Sequence, residues 1–402
     1  MKVAIVGGGA AGFFAAIHVK LFHPNAEVVI LEKSKKVLAK VKISGGGRCN
    51  VTNACSAIPE LIKAYPRGGK QLRKLFQIFN TSHTRTWFEE RGVPLVVQED
   101  GHIFPQSQDS QTIIDCFLQA CRKHKIEIQT TAKVDKIVPN EDGSIGLLVT
   151  DVLQNFDKVI VTTGGSPKIS GLQWLADLGH HIEPPVPSLF TFNMPRESIT
   201  ELMGVVVENT MTKIEGEKLT AEGPLLVTHW GMSGPAIIVL SAFGARILAE
   251  KNYDFAVLVN WVHATNHDEV LHEVRESMQR NSAKIIRNNN VFQLPNRLWD
   301  YLLQKAGIPS DKKCAELSKK EIQRLVNLLV NDRYEVQGKT TFKEEFVTCG
   351  GVSLSSVNMK TMESKVVPNL YFAGEVLDID AITGGYNFQA AWTTGYVAGK
   401  LM

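Results

Sequence analysis

The sequence predicts an α/β fold, in which a discontinuous, three-layer Rossmann-like domain receives an inserted β-rich domain and an inserted helical domain. Three observations predict this class. A short apolar run at Val3–Val6 leads through glycines into a helix-length segment at Ala10–Phe22. A second, β-branched strand follows at Glu27–Leu31, which completes a β-α-β unit. Strand patterning and glycine return near the C-terminus, after a middle region of different character.

Length and composition describe a multidomain globular protein. The chain has 402 residues, and 44 Lys and Arg against 41 Asp and Glu give a formal net charge of +3. At about 100–200 residues per domain, two or three domains are expected. With 44% hydrophobic and 21% charged residues, disorder, collagen and a nucleic-acid tail are excluded as descriptions of the whole chain. Six cysteines without a C-x-x-C pattern predict neither a disulfide scaffold nor a zinc site, and a cytoplasmic location fits best.

The middle of the chain changes character twice. Short strand-like runs dominate from residue 186, and a charged region with apolar residues at helical spacing begins at residue 266. The predicted domains are a Rossmann-like cofactor domain over 1–185 and 345–402, a β-rich substrate domain over 186–265 and 334–344, and a helical subdomain over 266–333.

One uncharged stretch, Leu225–Ala245, is about long enough to span a bilayer. Its centre contains Gly231 and Gly234, followed by Pro235. A strand, a glycine-rich turn and a helix with Pro235 in its first turn explain this pattern better than a membrane span. No membrane segment is therefore predicted.

The glycines after the first strand predict a dinucleotide site. Gly7, Gly9 and Gly12 form G-x-G-x-x-G between a strand and a helix, the context that this motif requires. Gly7 permits the tight turn, Gly9 leaves room for a pyrophosphate, and Gly12 allows close packing of the helix on the sheet. Glu32 follows Gly12 by 20 residues, where an acid that binds ribose hydroxyls is expected. This acid is compatible with NAD as well as FAD.

Three later segments favour FAD. Thr163–Gly165 follows a strand-like run, Gly374–Glu375 ends another, and Gly384–Asn387 precedes the C-terminal helix. They are similar to the FAD motifs of two-dinucleotide-binding flavoproteins. A helix N-terminus near the flavin would stabilise its anionic reduced form. Non-covalently bound FAD is the predicted cofactor.

The segment Ser44–Asn53 resembles the signature of a bacterial family of NAD(P)/FAD-dependent oxidoreductases called BaiN-like or aminoacetone-oxidase-like. Further matching segments follow in order at 101–105, 186–191, 228–235, 350–352 and the C-terminal run, so the resemblance covers nearly the whole chain. It implies an FAD domain made from both chain ends, with β-rich and helical insertions. Two departures are His102, where the family usually has Arg, and a shortened loop after Pro167.

The predicted cofactor-binding residues combine these motifs. Arg48 is expected near anionic groups, and Asn50 and Asn53 near the flavin ring. The full set is Gly7, Gly9, Ala11, Gly12, Glu32, Lys33, Ser44, Gly45, Gly46, Arg48, Cys49, Asn50, Asn53, Val134, Thr163, Gly164, Gly165, Gly374, Glu375, Gly384, Gly385, Tyr386, Asn387 and Phe388.

No catalytic residue and no metal site is predicted. Cys49 and Cys55 raise the alternative of a redox dithiol, because disulfide reductases carry a C-x4-C pair beside the flavin. The spacing here is C-x5-C, and buried reduced cysteines are the prediction. His229 and Tyr386 are candidate proton donors, although a structural histidine and a packed aromatic ring are expected.

The predicted function is an FAD-dependent oxidoreductase that transfers a hydride between flavin N5 and a small organic substrate bound between the FAD domain and the inserted domains. Reduction of a conjugated alkene and oxidation of a small amine both stay open, with NAD(P)H as a candidate transient donor. The alternatives are an FAD-containing RNA (tRNA)-modification protein and a flavin-binding protein without turnover. The basic cluster at residues 67–74 is expected to be a solvated helix face, and no nucleic-acid partner is predicted. A monomer or homodimer is expected.

Overall fold

The computed structural model describes residues 1–340 and 347–402. These residues form two compact units, each with its own hydrophobic core: a first unit of residues 1–188 and 347–402, and a second unit of residues 189–340. Strands and helices of the predicted β-rich and helical regions contribute to one core in the second unit. The predicted boundary between residues 344 and 345 lies outside the described residues, and the three-part division stays a prediction.

The first unit begins with eleven strands and seven helices. In chain order they are β1 (Lys2–Val6), α1 (Ala10–Phe22), β2 (Glu27–Glu32), α2 (Ala39–Ile43), β3 (Thr52–Asn53), α3 (Ile58–Leu61), α4 (Gly69–Phe76), α5 (Thr81–Glu89), β4 (Leu95–Val97), β5 (His102–Pro105), α6 (Gln111–Lys123), β6 (Glu127–Thr130), β7 (Val134–Pro139), β8 (Ile145–Val149), β9 (Val152–Phe156), β10 (Lys158–Val161), α7 (Gln173–Ala176) and β11 (Ile182–Ser188).

The rest of the described chain completes both units. The second unit consists of β12 (Thr191–Asn193), β13 (Val206–Ile214), β14 (Thr220–Thr228), β15 (Gly231–Ser233), α8 (Pro235–Glu250), β16 (Asp254–Asn260), α9 (His267–Arg280), α10 (Asn296–Lys305), α11 (Lys319–Asn331), β17 (Asp332–Gln337) and β18 (Lys339–Thr340). The first unit ends with β19 (Val347–Val352), β20 (Val357–Asn358), β21 (Glu363–Ser364), β22 (Leu370–Phe372) and α12 (Tyr386–Ala398).

A seven-stranded sheet organises the first unit, with the order β20-β21-β22-β10-β1-β2-β6. The strands from β22 to β6 pair in parallel, and β21 and β20 add an antiparallel edge. Because parallel strands end at the same edge, the segments that follow β1, β2, β10 and β22 are brought together there. The predicted α/β, Rossmann-like class is confirmed.

Helix α12 packs closely on α1. A Cβ atom on Gly395 would lie 3.0 Å from the carbonyl oxygen of Ala11, so the small residue permits this approach. Beside the contact, Phe14 lies 4.8 Å from Trp87 and 5.3 Å from Trp392, measured between ring centroids. The glycine therefore fixes α12, the last helix in the chain, against the helix that follows the glycine-rich turn.

The second unit is built on an antiparallel seven-stranded sheet, ordered β17-β16-β13-β14-β15-β12-β18. The uncharged stretch Leu225–Ala245 forms the end of β14, then β15 and much of α8, which begins at Pro235. Within the described ranges, no helix is long and apolar enough to cross a membrane.

Candidate functional site

The G-x-G-x-x-G turn is held by close backbone contacts at two of its glycines. Gly7 has a φ of +114°, and a Cβ atom there would lie 2.5 Å from the carbonyl oxygen of Thr162 and 3.0 Å from Cα of Thr163. A Cβ atom on Gly12 would lie 2.0 Å from the carbonyl oxygen of Gly7. A Cβ atom on Gly9, which precedes α1, would have no other atom within 4 Å. The turn is therefore closed on its inner side and open at Gly9.

Glu32 ends β2 beside this turn. Its Oε2 atom accepts a hydrogen bond of 2.8 Å from the backbone N–H of Gly8. Its Oε1 atom accepts bonds from the backbone N–H and the hydroxyl of Ser34, at 2.8 and 2.7 Å. Lys33 is exposed. The carboxylate is thus fixed against the glycine-rich turn, where a ribose-binding acid is expected.

The segments after β10 and β22 meet at a second glycine contact. A Cβ atom on Gly165 would lie 2.5 Å from Oγ1 of Thr348 and 2.7 Å from Oε1 of Glu375. Glu375 accepts a hydrogen bond of 3.0 Å from the backbone N–H of Thr348 and pairs with Lys40 at 2.8 Å. A Cβ atom on Gly164, by contrast, would have no other atom within 4 Å. The structure therefore brings together the Thr163–Gly165 and Gly374–Glu375 motifs.

The Ser44–Asn53 loop begins with three glycines in left-handed conformations. The Ser44 hydroxyl donates to the carbonyl oxygen of Val41 at 2.9 Å. The Arg48 guanidinium lies 4.2 Å from the ring centroid of Phe104, and its Nε atom donates to the carbonyl oxygen of Gly45 at 3.3 Å. Arg48 is therefore held on an aromatic face in the middle of the loop.

Asn50 and Asn53 bind the segment before α12. The Asn53 amide donates to the carbonyl oxygen of Gly384 at 3.0 Å. In the orientation that satisfies its amide, Asn50 donates to the carbonyl oxygen of Thr52 at 2.9 Å and accepts from the N–H of Gly385 at 3.1 Å. Both side chains thus position the N-terminus of the last helix.

The first turn of α12 carries the last predicted residues. Asn387 accepts from the N–H of Ala381 at 2.9 Å and donates to its carbonyl oxygen at 3.0 Å. Burial raises the pKa of the Tyr386 hydroxyl, and Phe388 stacks on Trp392 with ring centroids 5.4 Å apart. Asn387 therefore ties the helix start to the loop that precedes it.

Two predicted residues lie in different settings. Ala11 is in contact with the Gly374 segment, because a Cβ atom on Gly374 would lie 2.7 Å from Cβ of Ala11. Val134 begins β7, in the separate three-stranded sheet β7-β8-β9. The structure thus gathers the glycine-rich motifs and places Val134 in a different sheet from them.

The two histidines considered above have different locations. His102 pairs with Asp100, with its Nδ1 atom 2.7 Å from the carboxylate, and its Nε2 atom would lie 3.0 Å from a Cβ on Gly384. His229 is exposed in the second unit, with its ring centroid 4.4 Å from that of Trp230. Of the two, His102 lies beside the segment that precedes α12.

The cysteines are all thiols. Cys49 is fully buried, and burial raises its pKa to about 12. Burial also raises the pKa of Cys55, which is partly exposed. Because the thiolate is the reactive form, these environments disfavour dithiol chemistry at neutral pH. Within the part of the chain that the structure describes, no group of three or more His, Cys, Asp or Glu residues is placed to hold a metal ion.

Sequence reasoning missed a buried ion pair beside these motifs. Arg67 donates from Nε to Oδ1 of Asp380 at 2.5 Å, and a second guanidinium nitrogen bonds Oδ2. The Ser188 hydroxyl donates to the same carboxylate at 2.8 Å. Asp380 is fully buried, and burial raises its pKa while Arg67 acts to lower it. Arg67 was expected on a solvated helix face, but it precedes α4, and its side chain is only 11% exposed.

The arrangement fits a bound dinucleotide. The side-chain positions of Gly9, Gly46 and Gly164 are open, which leaves the backbone accessible to phosphate or ribose groups. The N-termini of α1 and α12 have no side-chain cap, so their first N–H groups remain available to an anion. Among buried side chains of the described residues, the Thr348 hydroxyl has no hydrogen-bond partner, and it lies beside Gly165.

Comparison with known proteins agrees with this geometry. A family profile described as HI0933-like protein Rossmann domain matches residues 1–401. A 3-dehydro-bile acid delta(4,6)-reductase of Clostridium scindens is 26% identical over 99% of this chain and 98% of its own. Ribosomal RNA dihydrouridine synthases of Haemophilus influenzae and Escherichia coli are each 28% identical, over 98% of this chain and 96% of their own.

Solved structures share the fold. A flavocytochrome c3 fumarate reductase superposes with a TM-score of 0.50 at 15% identity, covering 100% of this chain and 77% of the other. A 3-ketosteroid-delta4-(5alpha)-dehydrogenase from Rhodococcus jostii superposes with a TM-score of 0.53 at 12% identity, covering 99% of this chain and 96% of the other. At these identities the likeness concerns the fold alone.

Proposed function

The chain belongs to the HI0933-like Rossmann-domain family of FAD-dependent oxidoreductase-like proteins, as the motifs predicted, and on that premise we propose that it reduces a carbon–carbon double bond conjugated to a carbonyl group. The supporting observation is an agreement between relatives. The bile acid reductase and the dihydrouridine synthases have different substrates, yet both names describe the reduction of such a double bond. This favours alkene reduction over amine oxidation.

We propose that the first unit holds FAD without a covalent bond. The N–H groups at the start of α1 would bind the pyrophosphate beside Gly9, and Glu32 would accept bonds from ribose hydroxyls. Gly164 would allow close backbone approach. Bound FAD would supply hydride chemistry at flavin N5.

The chain's own residues would then orient the reacting groups. Asn50, Asn53 and Asn387 hold the first turn of α12 and the preceding glycines in place. The positive end of this helix would stabilise negative charge on a reduced flavin. In the net reaction, one carbon of the double bond gains a hydride and the other a proton, and NAD(P)H is the proposed source of the electron pair.

An anaerobic titration of the purified flavoprotein tests this proposal. We expect NADPH or NADH to bleach the visible flavin absorbance, and an α,β-unsaturated ketone such as cyclohexenone to restore it. A flavin that is reduced by a small amine and not by NAD(P)H would instead support an oxidase. A flavin that changes redox state with no donor would support binding without turnover.

A second candidate substrate is uridine in RNA. The observation that favours it is the pair of relatives named for ribosomal RNA dihydrouridine synthesis, each matched over nearly its full length. Uridine contains a double bond conjugated to a carbonyl, so the same chemistry applies. Incubating the reduced enzyme with unmodified ribosomal RNA and measuring dihydrouridine by mass spectrometry separates this substrate from a small ketone.

A further inference from the structure

Positive charge is concentrated in one part of the sequence. Residues 33–88 contain twelve Lys and Arg but only one acidic residue, Glu60, which gives a net charge of +11. The whole chain has a net charge of +3, so the remaining residues are net negative. Like charges that are held close together repel one another, and an anionic partner would relieve this repulsion. The concentration of positive charge therefore indicates such a partner.

About half of these cations have local partners. Lys40 pairs with Glu375, Lys42 with Asp109, Lys63 with Glu60, Arg67 with Asp380 and Arg85 with Glu89, while Arg48 lies on Phe104. Within the described ranges, the others form no ion pair, and all are exposed: Lys33, Lys35, Lys36, Lys70, Arg73 and Lys74.

Three of the unpaired cations share one face of α4. Lys70, Arg73 and Lys74 are spaced by three and four residues, which places their side chains together on a helix. The opposite face buries Leu72 and Leu75 in the core of the first unit. The charged face is therefore fixed in orientation by the packing beneath it.

A cavity of about 290 Å³ joins this face to a distant segment of the same unit. Lys74 and Gln71 line it from α4, and Asn358, Lys360 and Lys365 line it from the chain around β20 and β21. No acidic residue is among the described side chains that line it. Lys365 donates to the carbonyl oxygen of Ser355 at 2.9 Å, which orients its ammonium group.

We propose that these five cations, Lys70, Arg73, Lys74, Lys360 and Lys365, form a basic surface that binds the phosphate backbone of an RNA strand. The inference rests on the second candidate function and names where such a substrate would be held. It departs from the expectation of no nucleic-acid partner, which considered only the helix and not the lysines brought to it by the fold.

The chemistry of the basic surface favours a phosphate backbone. Its charges extend from the cavity along α4, where Lys70 and Lys74 are about 6 Å apart along the helix axis. Together with Lys360 and Lys365, these cations are more than a single phosphate requires. The amides of Gln71 and Asn358 can also donate to phosphate oxygens. No aromatic residue lines the cavity, so base stacking is not provided there, and the surface would position RNA without reading its sequence.

The test measures binding of a fluorescent single-stranded RNA of about 20 nucleotides to the flavoprotein by anisotropy, across a series of salt concentrations. The variant replaces three cations of the cavity: Lys74→Gln, Lys360→Gln and Lys365→Gln. We expect its affinity at low salt to fall by at least about tenfold. The slope of log affinity against log salt should decrease by about 2, since each phosphate contact on a single strand contributes about 0.7.

A matched control removes the same charge from the second unit. Lys213, Lys319 and Lys320 are exposed and, within the described ranges, form no ion pair, so Lys213→Gln, Lys319→Gln and Lys320→Gln should change affinity less than twofold. Equal losses in the two triple variants would overturn the proposal, because they would reflect net charge alone. Unchanged flavin absorbance in both variants shows that they remain folded.

Other anions serve as competing outcomes. If RNA does not bind at low salt while vesicles containing phosphatidylserine do, the basic surface is a membrane site and the proposal is wrong. If millimolar inorganic phosphate binds through the same lysines but RNA does not, it is a small-anion site. If the protein binds RNA through these lysines but reduces no alkene, the proposed function is contradicted. This proposal would still stand, since binding requires no turnover.

Discussion

Gly9 and Gly12 belong to the same motif but have opposite surroundings, and this difference separates cofactor binding from folding. A side chain at Gly9 meets open space, whereas one at Gly12 meets the backbone of Gly7. We expect Gly9→Val to fold normally and to lose flavin, because the valine would occupy the space needed for a pyrophosphate. Circular dichroism and the flavin absorbance of the purified protein measure the two effects.

Gly12→Val is the matched comparison. Its Cβ would lie 2.0 Å from a backbone oxygen, an overlap that only movement of α1 relieves, so this variant should fold poorly with or without added FAD. A Gly9→Val protein that remains yellow would contradict the assignment of this turn to the cofactor.

His18 makes folding sensitive to acid. It is buried on α1, with Nδ1 2.7 Å from the carbonyl oxygen of Phe14, and burial lowers its pKa from 6.5 to about 3. Between these two values the unfolded chain binds a proton that the folded chain does not. The free energy of unfolding should therefore fall as the pH is lowered through this window, by about 1.4 kcal/mol per pH unit from this residue.

Urea unfolding at several pH values measures this contribution. In His18→Leu, the decrease in unfolding free energy between about pH 6 and pH 4 should be smaller than in the parent protein by that amount per unit. Equal pH dependence in the parent and His18→Leu would show that His18 is accessible to protons in the folded state.

At the scale of elements, the Arg67–Asp380 pair joins two segments that frame the start of α12. The N–H of Ile382 donates to the carbonyl oxygen of Ala64 at 2.9 Å, and the Tyr65 hydroxyl donates to the carbonyl oxygen of Tyr386 at 2.7 Å. The ion pair lies beside these bonds, since Arg67 follows Tyr65 by two residues and Asp380 precedes Ile382 by two. It therefore positions the loop that leads to the glycines before the helix.

Asp380→Asn should weaken this arrangement strongly. It leaves the Arg67 charge poorly compensated in a buried site, a change that costs about 3–5 kcal/mol in comparable pairs. We expect a lower thermal unfolding midpoint and weaker FAD retention, measured by denaturation with and without excess FAD. The double variant with Arg67→Gln should regain part of the loss. A double variant that is as unstable as the sum of the single variants would show that the two groups do not interact.

The local elements of the site were predictable and the ion pair was not. The predicted helix Ala10–Phe22 has the observed bounds, and α12 begins after the glycine pair as expected, because apolar periodicity and glycine act over a few residues. Arg67 and Asp380 are 313 residues apart, and their contact depends on the strand order of the sheet. Lys74 and Lys360 are likewise far apart in the sequence, so their proximity could not be predicted from local patterns. The cofactor contacts of individual residues stay predictions.

At the scale of the whole molecule, the two units have separate cores, and every predicted cofactor-binding residue lies in the first. A ligand stabilises only the structure that binds it, by about 2.7 kcal/mol at a concentration of 100 Kd. FAD should therefore raise the stability of the first unit while leaving the second nearly unchanged, so that unfolding departs from a two-state transition.

Hydrogen exchange followed by mass spectrometry, in increasing urea, resolves the two units in one experiment. With FAD, peptides from β1, α1 and α12 should become protected to higher urea concentrations, and peptides from β13, β16 and α11 should not. Gly9→Val should show no such shift, because its first unit folds without binding the cofactor. If FAD protects both units equally, the chain unfolds as one cooperative body, and the second unit depends on the first despite its separate core.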